Sequence, residues 1–396
     1  MTADLLYSED EELLRSSLRD LLTDRAPASA VLRRTESDEL YDPALWRAVA
    51  VDLGAAGLAV PEWAGGHGAS WRETAIVAEE LGRSLAATPF LGSTVLATAL
   101  ARSAGADDLV ERIASGPVNE PPAIPLSAAF ARTDAADDLV RLLASGEVTA
   151  TVALPFSTAP GSGFPDTVRH SGGRLSGTVR NVADARTAEV LIVPAVAEEG
   201  PGLFVVGTGA TRRDAVVSLD LTRPLTDVTL ESAQGALIAL GDEAVADLDA
   251  ALTTGAALLA AEQLGLAQRC LEMTVEHLLT RYQFGRQIGS YQALKHRMAD
   301  LWAGVTQARA VARYAVACVA DDDPDAAVAA SLAQAYCSLV AVKAAEECVQ
   351  LHGGIGFTWE HPAHLYLKRA KADAIALGTA AQHRARLAEL VDLPTA

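Results

Sequence analysis

Apolar residues recur along this chain at two different periods. From about residue 8 to 115 they fall at helical spacing: Leu13, Leu14, Leu18, Leu21 and Leu22 form one stripe, behind Ser8 as N-cap with Glu11 three residues on. A second helix starts at Pro43-Ala-Leu-Trp46 and ends in Gly54-Ala-Ala-Gly57, before Val60-Pro61-Glu62 and the loop Gly65-Gly66-His67-Gly68. Trp71 to Gly82 forms a third, and Pro89-Phe90-Leu91-Gly92 introduces a fourth. At Pro121-Pro122 the texture changes to short Val/Leu/Ile/Thr runs separated by Gly, Pro, Ser and Asp, among them Val148–Leu154, Val190–Val193, Leu203–Val206 and Val228–Ser232. These runs predict a small antiparallel domain. From Asp242 to Leu390 long Ala/Leu-rich helices return, each of about 20 residues or more, with breaks near Gly285–Gly289, Asp321–Asp325 and Gly353–Pro362. The expected division is therefore a helical domain over 1–120, a β-domain over 121–240 and a four-helix bundle over 241–396.

Composition narrows the class. Half of the 396 residues are hydrophobic and 5% are aromatic, which suits packed helices. No stretch reaches 18 apolar residues free of charge, so no membrane span is expected, and the acidic start is not that of a signal peptide. A formal charge of −19 argues against a nucleic-acid partner while leaving room for anionic small ligands at local basic sites. Cys270, Cys318, Cys337 and Cys348 show no metal-ligand spacing and read as buried, reduced thiols of a cytoplasmic protein.

Two C-terminal segments carry candidate chemistry. In Arg281-Tyr-Gln-Phe284-Gly285, an arginine at a helix end can fork onto a pyrophosphate, Phe284 offers a flat surface and Gly285 permits a tight turn. The same string also suits an ordinary helix terminus. In Gln350-Leu-His-Gly353-Gly354 the glycines allow close backbone approach to a ligand that Gln350 can hydrogen-bond, although Gly353 equally suits a helix C-cap. His352 reads as a packed or surface histidine, and Lys368, Arg369 and Lys371 as a solvated helical face.

Order and spacing combine these pieces. Arg281-x-x-Phe284-Gly285, then Gln292 and Ala299-Asp300, then Gln350-Leu-His-Gly-Gly-Ile-Gly-Phe-Thr-Trp-Glu-His-Pro362, then Gly378-Thr379 resemble the acyl-CoA dehydrogenase family. So do Leu53–Glu62, Gly65–Ser70, Glu79–Arg83 and Pro89-Phe90 in the N-terminal half. The resemblance implies a mostly α fold with a middle, barrel-like β-domain and a C-terminal four-helix bundle. It implies FAD at a subunit interface, an acyl-CoA substrate, and electron-transferring flavoprotein as the usual acceptor. A glutamate would remove the α-proton while flavin N5 takes the β-hydride. By the same resemblance, Arg281, Phe284, Gln292, Gln350, Gly353, Gly354 and Thr379 would contact FAD.

Three positions depart from the family pattern. The glutamate expected before Gly378-Thr379 is Leu377. The alternative base position of some members, on the first bundle helix, falls near Gly255, flanked by Thr254 and Ala256. The middle-domain flavin strings survive only as Pro155–Gly163 and Val179–Asp184, and Thr379 is followed by Ala380-Ala381. In the family the Arg281-type and Gly353-type elements serve a neighbour's flavin, whereas the lost elements serve the subunit's own. The resemblance thus points to the base-lacking subunit of a heterotetrameric (α2β2) dehydrogenase. A homologous partner would carry the catalytic glutamate, and a bulky, steroid side-chain acyl-CoA would be the substrate class. One alternative is a homo-oligomer with a displaced base, Asp373 or Glu262, offset by about 6 and 10 Å from the usual positions. Another is a non-redox descendant that binds acyl-CoA, dehydrates it, or only assembles.

Overall fold

Ser8 caps the first helix as its sequence predicts. Its hydroxyl accepts the Glu11 amide at 3.2 Å and the Glu11 carboxylate accepts the Ser8 amide at 2.6 Å. The computed structural model describes residues 5–37, 39, 41–113 and 135–393. The expected change at Pro121-Pro122, the boundary at 120/121 and residues 1–4 lie outside these.

The first part comprises α1 (Glu9–Arg25), α2 (Ala28–Thr35), α3 (Pro43–Arg47, continued by a π-helical turn), α4 (Trp71–Ser84) and α5 (Thr98–Ile113). A further helix, α6 (Ala135–Ala144), stands in the stretch expected to form strands. Its Leu139, Val140 and Leu143 are buried in the helical core, and tertiary packing decides its conformation.

The middle part holds β1 (Ala150–Val152), β2 (Val168–Ser171), β3 (Arg174–Ala183), β4 (Val190–Ala197), β5 (Gly200–Gly207), β6 (Thr211–Val216), β7 (Leu225–Ala233) and β8 (Ala236–Leu240). They form one sheet in the order β6-β7-β3-β2-β4-β5-β8, with β1 added to β4. The sheet is mixed, not antiparallel as expected, because β1 and β2 both run parallel to β4. Strand β4 shows why its run is almost unbroken by polar residues. Val190 and Ile192 face the helices, whereas Leu191 and Val193 enter a second core within the β-domain.

The C-terminal part begins with α7 (Asp242–Thr280), a 39-residue helix. A hairpin of β9 (Tyr282–Gln283) and β10 (Arg286–Gln287) leads to α8 (Gln292–Ala320) and α9 (Ala326–His352). The expected last long helix is instead two, α10 (Ala363–Asp373) and α11 (Ala380–Leu390), each of 11 residues. Between them Leu377 and Gly378 take φ of 51° and 102°, which ends any continuous helix. By length and composition Asp242–Thr280 and Ala326–Phe357 could cross a membrane, contrary to expectation, but their apolar windows are 72% and 50% buried within the fold. They are packed core helices. Gly82 and Gly265 let α4 and α7 cross closely, since a Cβ on either would strike the other helix's backbone.

Candidate functional site

Helix α7 stops at Arg281, whose amide bonds to the His277 carbonyl at 2.9 Å. The chain then reverses through Phe284 (φ 51°) and Gly285 (φ 76°), the two positive dihedrals of a tight hairpin turn. Phe284 is left 90% exposed at the tip, and Tyr282 and Arg281 are exposed beside it. Arg281 has no ion-pair partner among the described residues, whereas Arg286 lies 3.7 Å from the centre of the Tyr291 ring. Gln292 opens α8 with its side chain exposed.

Helix α9 ends at the same end of the bundle. The His277 ring, in the last turn of α7, stacks on His352, the last residue of α9, at 4.5 Å between centres. His352 stacks in turn on His361 at 4.3 Å. Gly353 caps α9 at φ 65°, and a Cβ on Gly353 or Gly354 would meet nothing within 4 Å. Gln350 is exposed, and Ile355, Phe357 and Trp359 continue an apolar surface beyond the turn. The structure therefore brings Arg281, Phe284, Gln292, Gln350, Gly353 and Gly354 to one exposed edge. His352 is buried, with Nδ1 donating to the Cys348 carbonyl at 2.7 Å. All four cysteines are free and buried.

Thr379 lies elsewhere. It caps α11, its hydroxyl accepting the Gln382 amide and donating to the Gln382 side chain at 2.8 Å. It borders the cleft that holds the two expected base positions. These positions meet: a Cβ on Gly255 would run into Leu96 and lie 3.1 Å from Leu377 Cδ1. Leu96, Val152, Leu154, Phe156, Leu248, Leu252 and Leu377 wall the spot, and no carboxylate lines it. The cleft is also closed. The Leu377 amide donates to the Phe156 carbonyl at 2.7 Å, and Ala159 packs against Gly378 so tightly that a Cβ there would clash. His383 Nε2 holds the Leu377 carbonyl at 2.9 Å from the other side.

The two substitute carboxylates are committed. Glu262 bridges Arg223 at 2.5 Å and Arg369 at 2.6 Å, and Asp373 takes a second nitrogen of Arg223 at 2.9 Å. Arg369 also pairs with Asp220 at 2.5 Å and donates to the Thr222 hydroxyl at 2.6 Å. Arg369 is thus a buried tie between domains, not part of a solvated face; only Lys371, bridged to Glu346, answers that expectation. Lys368 is half-buried over Trp359. Burial would raise the Glu262 carboxyl, but the two arginines override it and hold it low. Burial, with Glu262 beside it, pushes Asp373 up to about 8, and burial likewise raises Asp184. Protons on these two leave Asp220 and Glu262 balancing Arg223 and Arg369. Sequence reasoning missed Asp220 and Arg223, which reach the bundle from the β6–β7 connection, and the partners of His352. For His277 a signal existed: it precedes Arg281 by one helical turn.

A helical domain, a β-domain and a helical bundle, with a ligand edge at the bundle end and no base in the interior cleft, define a flavin dehydrogenase fold without its own acid–base centre. The acyl-CoA dehydrogenase N-terminal domain family matches residues 8–115 and the acyl-CoA dehydrogenase C-terminal domain family matches residues 246–391. The acyl-CoA dehydrogenase IpdE2 of Mycolicibacterium smegmatis is 34% identical over 384 residues, covering 96% of this chain and 98% of that protein. This chain belongs to the acyl-CoA dehydrogenase family, whose members are flavoprotein oxidoreductases acting on CH–CH bonds. Among solved structures it resembles the ChsE4-ChsE5 complex from Mycobacterium tuberculosis, with 26% identity, a TM-score of 0.81 and full coverage of both chains. It also resembles the Tcur3481-Tcur3483 steroid ACAD, with 28% identity, a TM-score of 0.79, and coverage of 97% of this chain and 98% of that one.

With the family comes FAD as cofactor. The exposed edge fits it: an exposed guanidinium and two glycines facing open space suit a diphosphate. The interior cleft does not, because the hydrogen bond between Phe156 and Leu377 leaves no gap for a flavin ring.

Proposed function

We propose that this chain is the base-lacking subunit of a heteromeric acyl-CoA dehydrogenase and completes the flavin site of a homologous partner. The observation that carries this reading is the convergence of Gly255 and Leu377 in one sealed apolar spot, which removes both family positions for a base at once. Proton abstraction needs an ionised group within hydrogen-bond reach, and Glu262 and Asp373 are locked in ion pairs. A homo-oligomer with a displaced base is therefore disfavoured.

In the proposed assembly Arg281 pairs with the diphosphate of the partner's FAD, and Gly353 and Gly354 admit close backbone approach. Gln292 and Gln350 supply hydrogen bonds, and Phe284 covers an apolar part of the cofactor. FAD, when bound, accepts the hydride from the acyl β-carbon. The partner supplies the glutamate and the pocket for the flavin ring, and electron-transferring flavoprotein takes the electrons onward. The similarity to a two-chain complex and to a steroid acyl-CoA dehydrogenase supports a heteromer acting on a bulky, steroid-type acyl-CoA.

Flavin absorbance tests the proposal. The chain purified alone is expected to be nearly colourless. Co-expression with a homologue carrying the glutamate is expected to give a yellow complex that oxidises acyl-CoA in a dye-linked assay. A yellow, active preparation of this chain alone refutes it.

A further inference from the structure

The exposed edge contains more chemistry than the motif residues. His277, His352 and His361 stack in a row directly beneath it, taking three of the eight histidines in the chain. Arg281 follows His277 by one turn, and Gly353-Gly354 follows His352 at once. His277 and His361 are half-buried, so the row opens onto the surface at its ends.

The charges around the row are unusual for a chain of net charge −19. Burial lowers His277, and His352 and Arg281 lower it further. Burial lowers His361 to about 4, aided by His352, His277 and His364. Burial would lower His352 too, but its hydrogen bonds with Cys348 raise it. From α7 the neighbours are Arg281 and Glu276, the latter bridged to Arg269 at 3.3 Å. From α9 they are Cys348 and Glu347, the latter bridged to Arg297 at 2.5 Å. The Gly353–Pro362 loop adds Glu360, and α10 adds His364 and Lys368. No carboxylate is among the groups that shift any of the three rings. Such a cluster of cationic and protonatable groups is poorly stabilised until an anion joins it.

We infer that His277 and His352 are further ligand contacts of this edge and that, with Arg281, they bind the diphosphate of an adenine dinucleotide or nucleotide. The inference rests on the proposed reading of the edge and extends it to side chains outside the motif. An imidazolium in the row gives the diphosphate a charge-assisted hydrogen bond. Binding therefore draws a proton into the row, and affinity falls as pH rises from 6 to 8, the range of an imidazole.

The test uses the full chain with ¹⁵N-labelled histidine, titrated with ADP at pH 6, 7 and 8, with FAD and 3′-phospho-ADP as competitors to separate a flavin source from a coenzyme A source. Ring nitrogens of His277 and His352 are expected to shift, with the imidazole titrating at higher pH in the bound state. His277→Gln and His352→Gln should each weaken ADP about tenfold at pH 6, the worth of one charge-assisted hydrogen bond, and flatten the pH dependence. Unmoved ring resonances, no ADP binding at millimolar concentration, or unchanged affinity in both variants overturns the inference. The flavin content of the co-expressed complex judges the heteromer separately. Loss of flavin with Arg281→Ala but not with the histidine variants would sink the histidine contacts and leave the heteromer standing.

Discussion

Leu377→Glu puts back the residue type that the family uses, in the place where the family uses it, and the structure predicts that it fails. Leu377 is 2% exposed among Leu96, Leu154, Phe156 and Leu252. Removing its burial costs about 1.5–3 kcal/mol. The nearby polar groups are already committed, the Leu377 amide to Phe156 and His383 to the Leu377 carbonyl. The introduced carboxyl would have no donor and would shift up by about 3–5 units, so it would stay protonated at neutral pH. A buried, poorly paired carboxyl adds about 1–3 kcal/mol to the cost. The expected sum is about 3–5 kcal/mol of lost stability in urea unfolding. No acyl-CoA oxidation by the chain alone is expected, because a neutral carboxyl is no base and the cleft takes no flavin ring. Leu377→Met, close in volume, should cost less than about 1.5 kcal/mol and serves as the folding control. Turnover by the Leu377→Glu chain alone, or an ionised carboxylate there at pH 7 with wild-type stability, would refute the reasoning.

Arg369→Met should lower urea stability by about 3–5 kcal/mol, because Asp220 and Glu262 lose a buried partner. Asp373 titrates near 8 in the folded chain and at about 3.9 when unfolded, so the folded chain alone holds this proton in between. Its contribution to stability is complete below the unfolded value and is lost as pH rises through the folded one, with a slope of at most about 1.4 kcal/mol per unit. Asp373→Asn should remove that slope in urea melts run from pH 5 to 8. Arg281→Ala, at an exposed site, should leave the melting temperature unchanged and lower the flavin content of the co-expressed complex.

What the sequence revealed was local. The Ser8–Glu11 cap, the helix stop at Arg281 and the Gly353 cap depend on a few adjacent residues and could be read directly. The missing base was legible as two positions, Leu377 and Gly255, but their meeting in one spot was not, because it depends on how α7 packs against the turn after α10. The charged tie among Asp220, Arg223, Glu262, Arg369 and Asp373 was hidden for the same reason. Arg223 and Asp373 stand 150 residues apart in sequence, and each alone resembles a surface charge. The parallel pairing of β1 with β4 left no mark in residue type, since β-branched runs suit either direction. The break at Leu377-Gly378 was concealed by a leucine held at positive φ, where a glycine or asparagine would have announced it.

The most direct measurement is the number of flavins per chain in the native assembly, counted by absorbance against protein and paired with turnover. One FAD for each copy of this chain together with one copy of a glutamate-bearing partner, and none on this chain alone, is the predicted count. An active homo-oligomer of this chain with a flavin in every subunit would contradict it.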